Sequence, residues 1–180
     1  YYGSSKAMEA AEMYRQEQAD ALAGGDEEET NEDIDNSPIV LLVKQIIEGG
    51  VRQRASDIHI EALENSVRVR YRIDGALKQE MSYDLSILAG ITARIKIIGG
   101  MDIAEKRKPQ DGRITIFVDR REFDVRVSIL PTVYGEKTVM RLTSKDGLTK
   151  PKSGLGLDED EIKVFDGILS NPHGIILVTG

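Results

Sequence analysis

An α+β domain with a largely antiparallel sheet is predicted for residues 37–143, and three observations predict it. Apolar residues recur at helical spacing in two stretches, alternate with polar ones at a period of two in several others, and short turn signals join the alternating stretches.

Taken in order, residues 6–23 (KAMEAAEMYRQEQADALA) are rich in strong helix formers. Their apolar positions are mostly alanine, so little surface could be buried and a marginal helix at best is expected. Gly24 to Asn36 (GGDEEETNEDIDN) joins paired glycines to a self-repelling acidic block, so residues 1–36 are read as a flexible acidic linker, partly helical. Ser37-Pro38 then starts a helix, with serine able to cap and proline at the first helical position. Ile39, Leu42, Val43, Ile46 and Ile47 follow at helical spacing, with Gly49-Gly50 as an early stop signal. Ile58, Ile60 and Ala62 alternate with Asp57, His59 and Glu61; Val67, Val69, Tyr71 and Ile73 alternate with Arg68, Arg70 and Arg72. Both read as half-buried strands, and Asp74-Gly75 turns the second into a third at Ala76 to Met81. Leu85 to Ile98 is helical again, Met101 to Pro109 is a loop, and strands follow at about 113–118, 121–130 and 137–143, with Asp119-Arg120 turning the first pair. Gly112, like Gly75, reads as a turn residue. Residues 144–156 form a linker. In 157–180, Asp158 to Leu169 predicts a helix, and the run Ile175 to Val178 predicts a strand buried on both faces of a parallel sheet that this chain does not contain.

Composition narrows the function classes. With 40% hydrophobic and 31% charged residues the 180-residue chain is globular, and no apolar run approaches the roughly 18–20 residues of a membrane span. Cysteine is absent, which excludes a disulfide framework and fits a reducing compartment, so a cytoplasmic setting is expected. The net charge of -7 is concentrated in residues 1–36, where eleven acids face two bases; the remaining 20 acids and 22 bases leave the body near +2. That balance argues against a nucleic-acid-binding module built on the arginine strand. The chain begins at Tyr1 without the pattern of a signal peptide, and it is expected to be a piece of something longer.

No catalytic set is complete. His59 and His173 are far apart and lack metal-ligand spacing, so no metal site is expected, and His59 is read as orienting locally. Neither a nucleophile elbow nor a cysteine nucleophile occurs. Val178-Thr179-Gly180 has the form in which a phosphate-cradling loop begins, with Gly180 as its first glycine. The lysine and Ser/Thr of such a loop lie outside the sequence, so the chain alone is not expected to hydrolyse ATP.

Six stretches carry a family resemblance: Ser56-Asp57-Ile58-His59-Ile60-Glu61, Arg68 to Gly75 (RVRYRIDG), Pro109-Gln110-Asp111-Gly112-Arg113, Asp124 to Ser128 with Leu130-Pro131-Thr132, Gly135-Glu136-Lys137, and Gly174 to Gly180 (GIILVTG). In that order the chain resembles the type II secretion and type IV pilus-assembly ATPases over residues 37–180. The resemblance implies a PAS-like second N-terminal domain at 37–143 and the start of a RecA-like ATPase core at 157–180, cut at the first glycine of the Walker A motif. It also implies a hexameric cytoplasmic motor, peripheral to the inner membrane through its secretion or pilus platform partners. The RecA-like cores of the same and neighbouring subunits would be partners too. ATP and Mg²⁺ would serve the full-length protein, with no cofactor expected for this fragment, which is expected to be monomeric. Arg126 and Arg141 match the family's arginines that approach the terminal phosphate, and Arg113 resembles an interface residue. From residue chemistry alone, Arg126 and Arg141 could instead pair with Glu122 and Asp124 on a solvated face, and the Arg68, Arg70, Arg72 stripe is expected to face solvent or a subunit interface. The alternative function is a PAS-like small-molecule sensor, although nine aromatic residues, six Tyr and three Phe, are few with which to line a pocket.

Overall fold

The computed structural model describes residues 2–22, 37–145, 151–177 and 179, and the chain divides into two units, Tyr1–Ser144 and Lys145–Gly180. The first unit contains helices α1 (Tyr2–Leu22), α2 (Pro38–Arg52) and α3 (Leu88–Ile98) and strands β1 (Asp57–Ala62), β2 (Ser66–Ile73), β3 (Ala76–Asp84), β4 (Gln110–Val118), β5 (Arg121–Thr132) and β6 (Gly135–Ser144). The strands form one sheet in the order β3-β2-β1-β6-β5-β4, every pair antiparallel. Two three-stranded meanders thus meet where β1 pairs with β6, so the α+β class predicted from periodicity is the one observed.

Alternation decides the layers. Ile58, Ile60, Val67, Val69, Tyr71, Val125, Val127, Ile129 and Met140 are buried and share the core with Leu42, Val43, Ile46 and Ile47 of α2 and Ile91 and Ile95 of α3. Burying each such side chain contributes about 1.5–3 kcal/mol. Tyr71 adds a polar tie across the layers, its hydroxyl donating to the Ile46 carbonyl at 2.6 Å, and burial pushes its pKa up. Their neighbours in sequence, Asp57, His59, Glu61, Arg68, Arg70 and Arg72, point to the other face.

Several expectations change. The segment expected to be marginally helical is a 21-residue helix whose Ala7, Ala10 and Ala11 are buried where α1 packs chiefly on α2. Alanine contributes little area, but it lets two backbones approach closely. The acidic block at 24–36 lies outside the described residues. Gly49-Gly50 does not stop α2, which runs on to Arg52. A Cβ on Gly50 would lie 2.6 Å from Ile58 Cδ1, so the pair serves close approach of helix to sheet. The two predicted turns do have left-handed backbones, at Asp74 (φ 49°) with Gly75 (φ 80°), and at Asp119 (φ 49°) with Arg120 (φ 64°).

Gly112 is not a turn residue. It lies within β4, where a Cβ would meet the Gly99 carbonyl oxygen at 2.6 Å, and a backbone atom cannot swing aside as a side chain can. Gly112→Ala is expected to destabilise the chain by about 1–3 kcal/mol, read as a lower urea midpoint. An unchanged midpoint would show that the Gly99 turn yields freely.

The second unit contains α4 (Glu159–Leu169), preceded by a 3₁₀ turn at Lys152–Leu155. Asp158 caps α4, accepting from the Asp160 and Glu161 amides at 3.0 and 2.8 Å, while the Glu161 carboxylate accepts from the Asp158 amide at 2.9 Å. The strand predicted at Ile175 is not formed over residues 175–177, which are exposed, and the described residues of this second unit contain no other strand for it to pair with. Val178 and Gly180 lie outside the described residues. No described helix is long and apolar enough to cross a membrane.

Candidate functional site

The polar face of the sheet carries the chemistry. Strand register aligns its side chains in rows, and one row reads Arg113 on β4, Arg126 on β5, Arg141 on β6, Asp57 on β1 and Arg72 on β2. Arg113, Arg126 and Arg141 therefore stand side by side on three adjacent strands. Like charges directly opposite one another oppose folding, and an anion would relieve that repulsion. Arg113 has no ion pair among the described residues. Arg126 lies 4.0 Å from Asp124 through its Nε, the limit of a charge contact, and its side chain is 64% exposed. A shallow depression of about 390 Å³ beside them is lined by Asp111, Gly112, Arg113, Arg126, Val127 and Ser128.

Arg141 differs from Arg126. Its Nε donates to Asp57 Oδ1 at 3.1 Å, and it is 73% exposed whereas Asp57 is 10% exposed at the side chain. Thus the expected pairing of both arginines with Glu122 and Asp124 holds only for the weak Arg126–Asp124 contact, while Arg141 turns to β1. Asp57 Oδ2 accepts from Ser56 Oγ at 2.8 Å and lies 3.3 Å from Arg72 Nε. Burial raises the Asp57 pKa, but the Ser56 and Arg141 hydrogen bonds outweigh it and the net displacement is downward, so the carboxylate is ionised at neutral pH.

Glu61 is the second hub. Its oxygens lie 3.0 Å from Arg68 Nη2, 2.8 Å from Arg70 Nη2 and 3.0 Å from Lys137 Nζ. The stripe expected to face solvent or another subunit is therefore largely paired within the sheet: Arg68 and Arg70 with Glu61, Arg72 with Asp57. Burial alone would push the Glu61 carboxyl up, but hydrogen bonds from Arg70, Lys137 and Arg68 hold it at about 2 against an ordinary 4.5. A carboxyl depressed in the folded state stabilises fully above its unfolded value, and that gain is lost as pH falls from 4.5 through about 2. The Glu61→Gln chain is expected to have a shallower acid limb of stability in this window, by on the order of 3 kcal/mol, in urea titrations at stepped pH. Identical acid limbs would show that the three cations are not coupled to Glu61.

His59 sits between Arg70 and Val139, and burial first, then Lys137, lowers its pKa, so it is neutral at pH 7. Its buried Nδ1 has no hydrogen-bond partner, so a local orienting role finds no contact there. No group of three His, Cys, Asp or Glu side chains among the described residues could hold a metal ion. A row of guanidinium groups is chemically suited to an anion such as a phosphate, whereas Arg113, Arg126 and Arg141 themselves offer no carboxylate that could ligate a Mg²⁺ ion.

The remaining motif residues build the frame. Gln110 braces the 101–109 loop, its Oε1 accepting from the Asp102 amide at 2.9 Å and its Nε2 donating to the Asp102 and Glu105 carbonyls at 2.9 and 3.1 Å. Ser128 Oγ donates to Asp111 Oδ1 at 2.5 Å. Lys96 on α3, 1% exposed, places Nζ 2.7 Å from Glu136 Oε1 and donates to the Glu105 carbonyl at 2.6 Å. The approach to Glu136 is a charge contact off the hydrogen-bond line. Sequence reasoning missed Asp57, Glu61 and Lys96. Two acids on the outward face of what proves a central strand were the available signal.

The family model described as type II/IV secretion system protein matches residues 32–180. The chain is 41% identical over 165 residues to the putative type II secretion system protein E of Escherichia coli (strain K12), covering 89% of this chain and 34% of that protein. It is 43% identical over 161 residues to the type II secretion system protein E of Xanthomonas campestris, covering 89% and 28%. It is 40% identical over 189 residues to the type IV pilus assembly ATPase PilB of Myxococcus xanthus, covering 96% and 33%. The chain spans about a third of the length of these relatives.

Proposed function

This chain belongs to the type II/IV secretion system protein family, and from that premise we propose that it presents arginines to a nucleotide bound by an ATPase core elsewhere in the protein. The observation that carries the reading is the row Arg113, Arg126, Arg141, three cations side by side on adjacent strands. A guanidinium fork binds phosphate oxygens bidentately and stabilises charge that develops during phosphoryl transfer. Arg126 and Arg141 would take that role, and Arg113 would extend the surface toward a neighbouring subunit.

In this reading 37–143 is a PAS-like regulatory domain. It couples nucleotide state in one subunit to rigid-body rotation against the next within a cytoplasmic hexamer that drives protein secretion or pilus assembly from an inner-membrane platform. ATP and Mg²⁺ belong to the core, with Mg²⁺ held by groups outside the described residues.

The test is ATP turnover and nucleotide binding by this chain beside the protein extended through the phosphate loop and RecA-like core. Turnover confined to the long form is expected. An inactive long form under assembly conditions, or tight binding of a small molecule by the chain alone, would replace this reading with that of a sensor.

A further inference from the structure

We propose that Asp57 is a positioning residue that fixes the Arg141 guanidinium for phosphate, an inference that rests on the nucleotide reading above. Three observations lead to it. Strand register places Asp57 between Arg141 on β6 and Arg72 on β2. Its carboxylate is nearly buried and held from three sides: Ser56 Oγ at 2.8 Å, Arg72 Nε at 3.3 Å and Arg141 Nε at 3.1 Å. The Arg141 side chain is itself 73% exposed, so the contact engages Nε on a side chain that stays largely open to solvent.

The choice of nitrogen matters. Of the five N–H donors of a guanidinium, Nε–H carries one and the two terminal nitrogens carry four, and the terminal edge is suited to a bidentate grip on phosphate. A carboxylate on Nε therefore fixes the plane of the group without occupying that edge. It also offsets the repulsion between Arg141 and Arg126, which stand opposite one another on β6 and β5. Arg126 has no such anchor, since its Nε is 4.0 Å from Asp124. The site thus pairs a held arginine with a freer one. Arg72 completes the support, because its Nη1 donates to the Gly75 carbonyl at 2.9 Å and ties Asp57 to the β2–β3 turn.

The contact and its consequence are tested separately. In the 180-residue chain, the Arg141 Nε–H resonance, assigned by its loss in Arg141→Lys, is expected to be protected from exchange at neutral pH. Asp57→Asn should abolish that protection while backbone resonances of the α2–α3 core stay in place. Protection that survives Asp57→Asn would overturn the proposal. In the extended protein, Asp57→Asn is expected to lower kcat on the order of 10²-fold, the cost of a misplaced reacting group, with KM for ATP little changed. In an Arg141→Ala background the same substitution should have almost no further effect, a coupling that a merely structural role would not show. Ser56→Ala keeps the carboxylate and loosens one oxygen, so it should give a smaller fall in kcat and serves if Asp57→Asn folds poorly. Independent, multiplying effects of Asp57→Asn and Arg141→Ala would overturn the inference. Unchanged turnover in Arg141→Ala would overturn instead the nucleotide reading beneath it, whatever the resonance shows.

Discussion

Glu136→Ala is expected to destabilise the chain by about 3–5 kcal/mol, because it leaves the Lys96 ammonium buried without its counter-charge. Lys96 is 1% exposed and has two oxygen partners, Glu136 Oε1 at 2.7 Å and the Glu105 carbonyl at 2.6 Å. One neutral carbonyl does not replace the hydration of an ammonium, so the variant must move the loop or open α3 to let water reach the lysine. Replacing both partners, as in Lys96→Met with Glu136→Leu, removes the unpaired charge and is expected to restore most of the lost stability. Urea unfolding followed by far-UV circular dichroism measures both, since the chain has no tryptophan. A Glu136→Ala chain within about 1 kcal/mol of the parent would show that water reaches the lysine.

This pair also marks where the sequence stopped being readable. Elements governed by local periodicity were legible: β1, β2, β4, β5 and β6 begin or end within a few residues of the alternating stretches, and α3 follows a short 3₁₀ turn over Leu85–Ile87 within the predicted Leu85 to Ile98. What depended on a distant partner was not. The alanines of α1 become a packing face only because α2 lies against them, and Gly49 and Gly50 serve inside the helix because Tyr71 and Ile58 respectively occupy the space their missing side chains leave. Lys96 looks like a solvated position on α3 until the start of β6 brings Glu136 beside it. The candidate site divides in the same way. Arg126 and Arg141 could be singled out as motif positions, whereas their alignment in one row, and the contact of Arg141 with Asp57 84 residues away, exist only once β1, β5 and β6 are in register.

That register sets the largest expected effect on activity. In the extended protein, Arg126→Ala and Arg141→Ala should each lower kcat for ATP hydrolysis by about 10³-fold or more, the range for arginines that stabilise transferring phosphoryl groups. Stability should hold within about 0.5 kcal/mol for Arg126→Ala, whose side chain is 64% exposed and makes only a 4.0 Å charge contact. Arg141→Ala removes a counter-charge from Asp57, but Arg72 and Ser56 remain on that carboxylate, so folding should survive as well. Lysine replacements separate two mechanisms. A point charge without the fork geometry would recover nearly full activity if the row acted only through its field, and little of it if bidentate contact with phosphate is required. The second outcome is expected, with Arg141→Lys the more damaging because lysine has no Nε–H for Asp57 to hold while a terminal edge binds phosphate. Wild-type turnover in both alanine variants would leave the row a surface for some other anion.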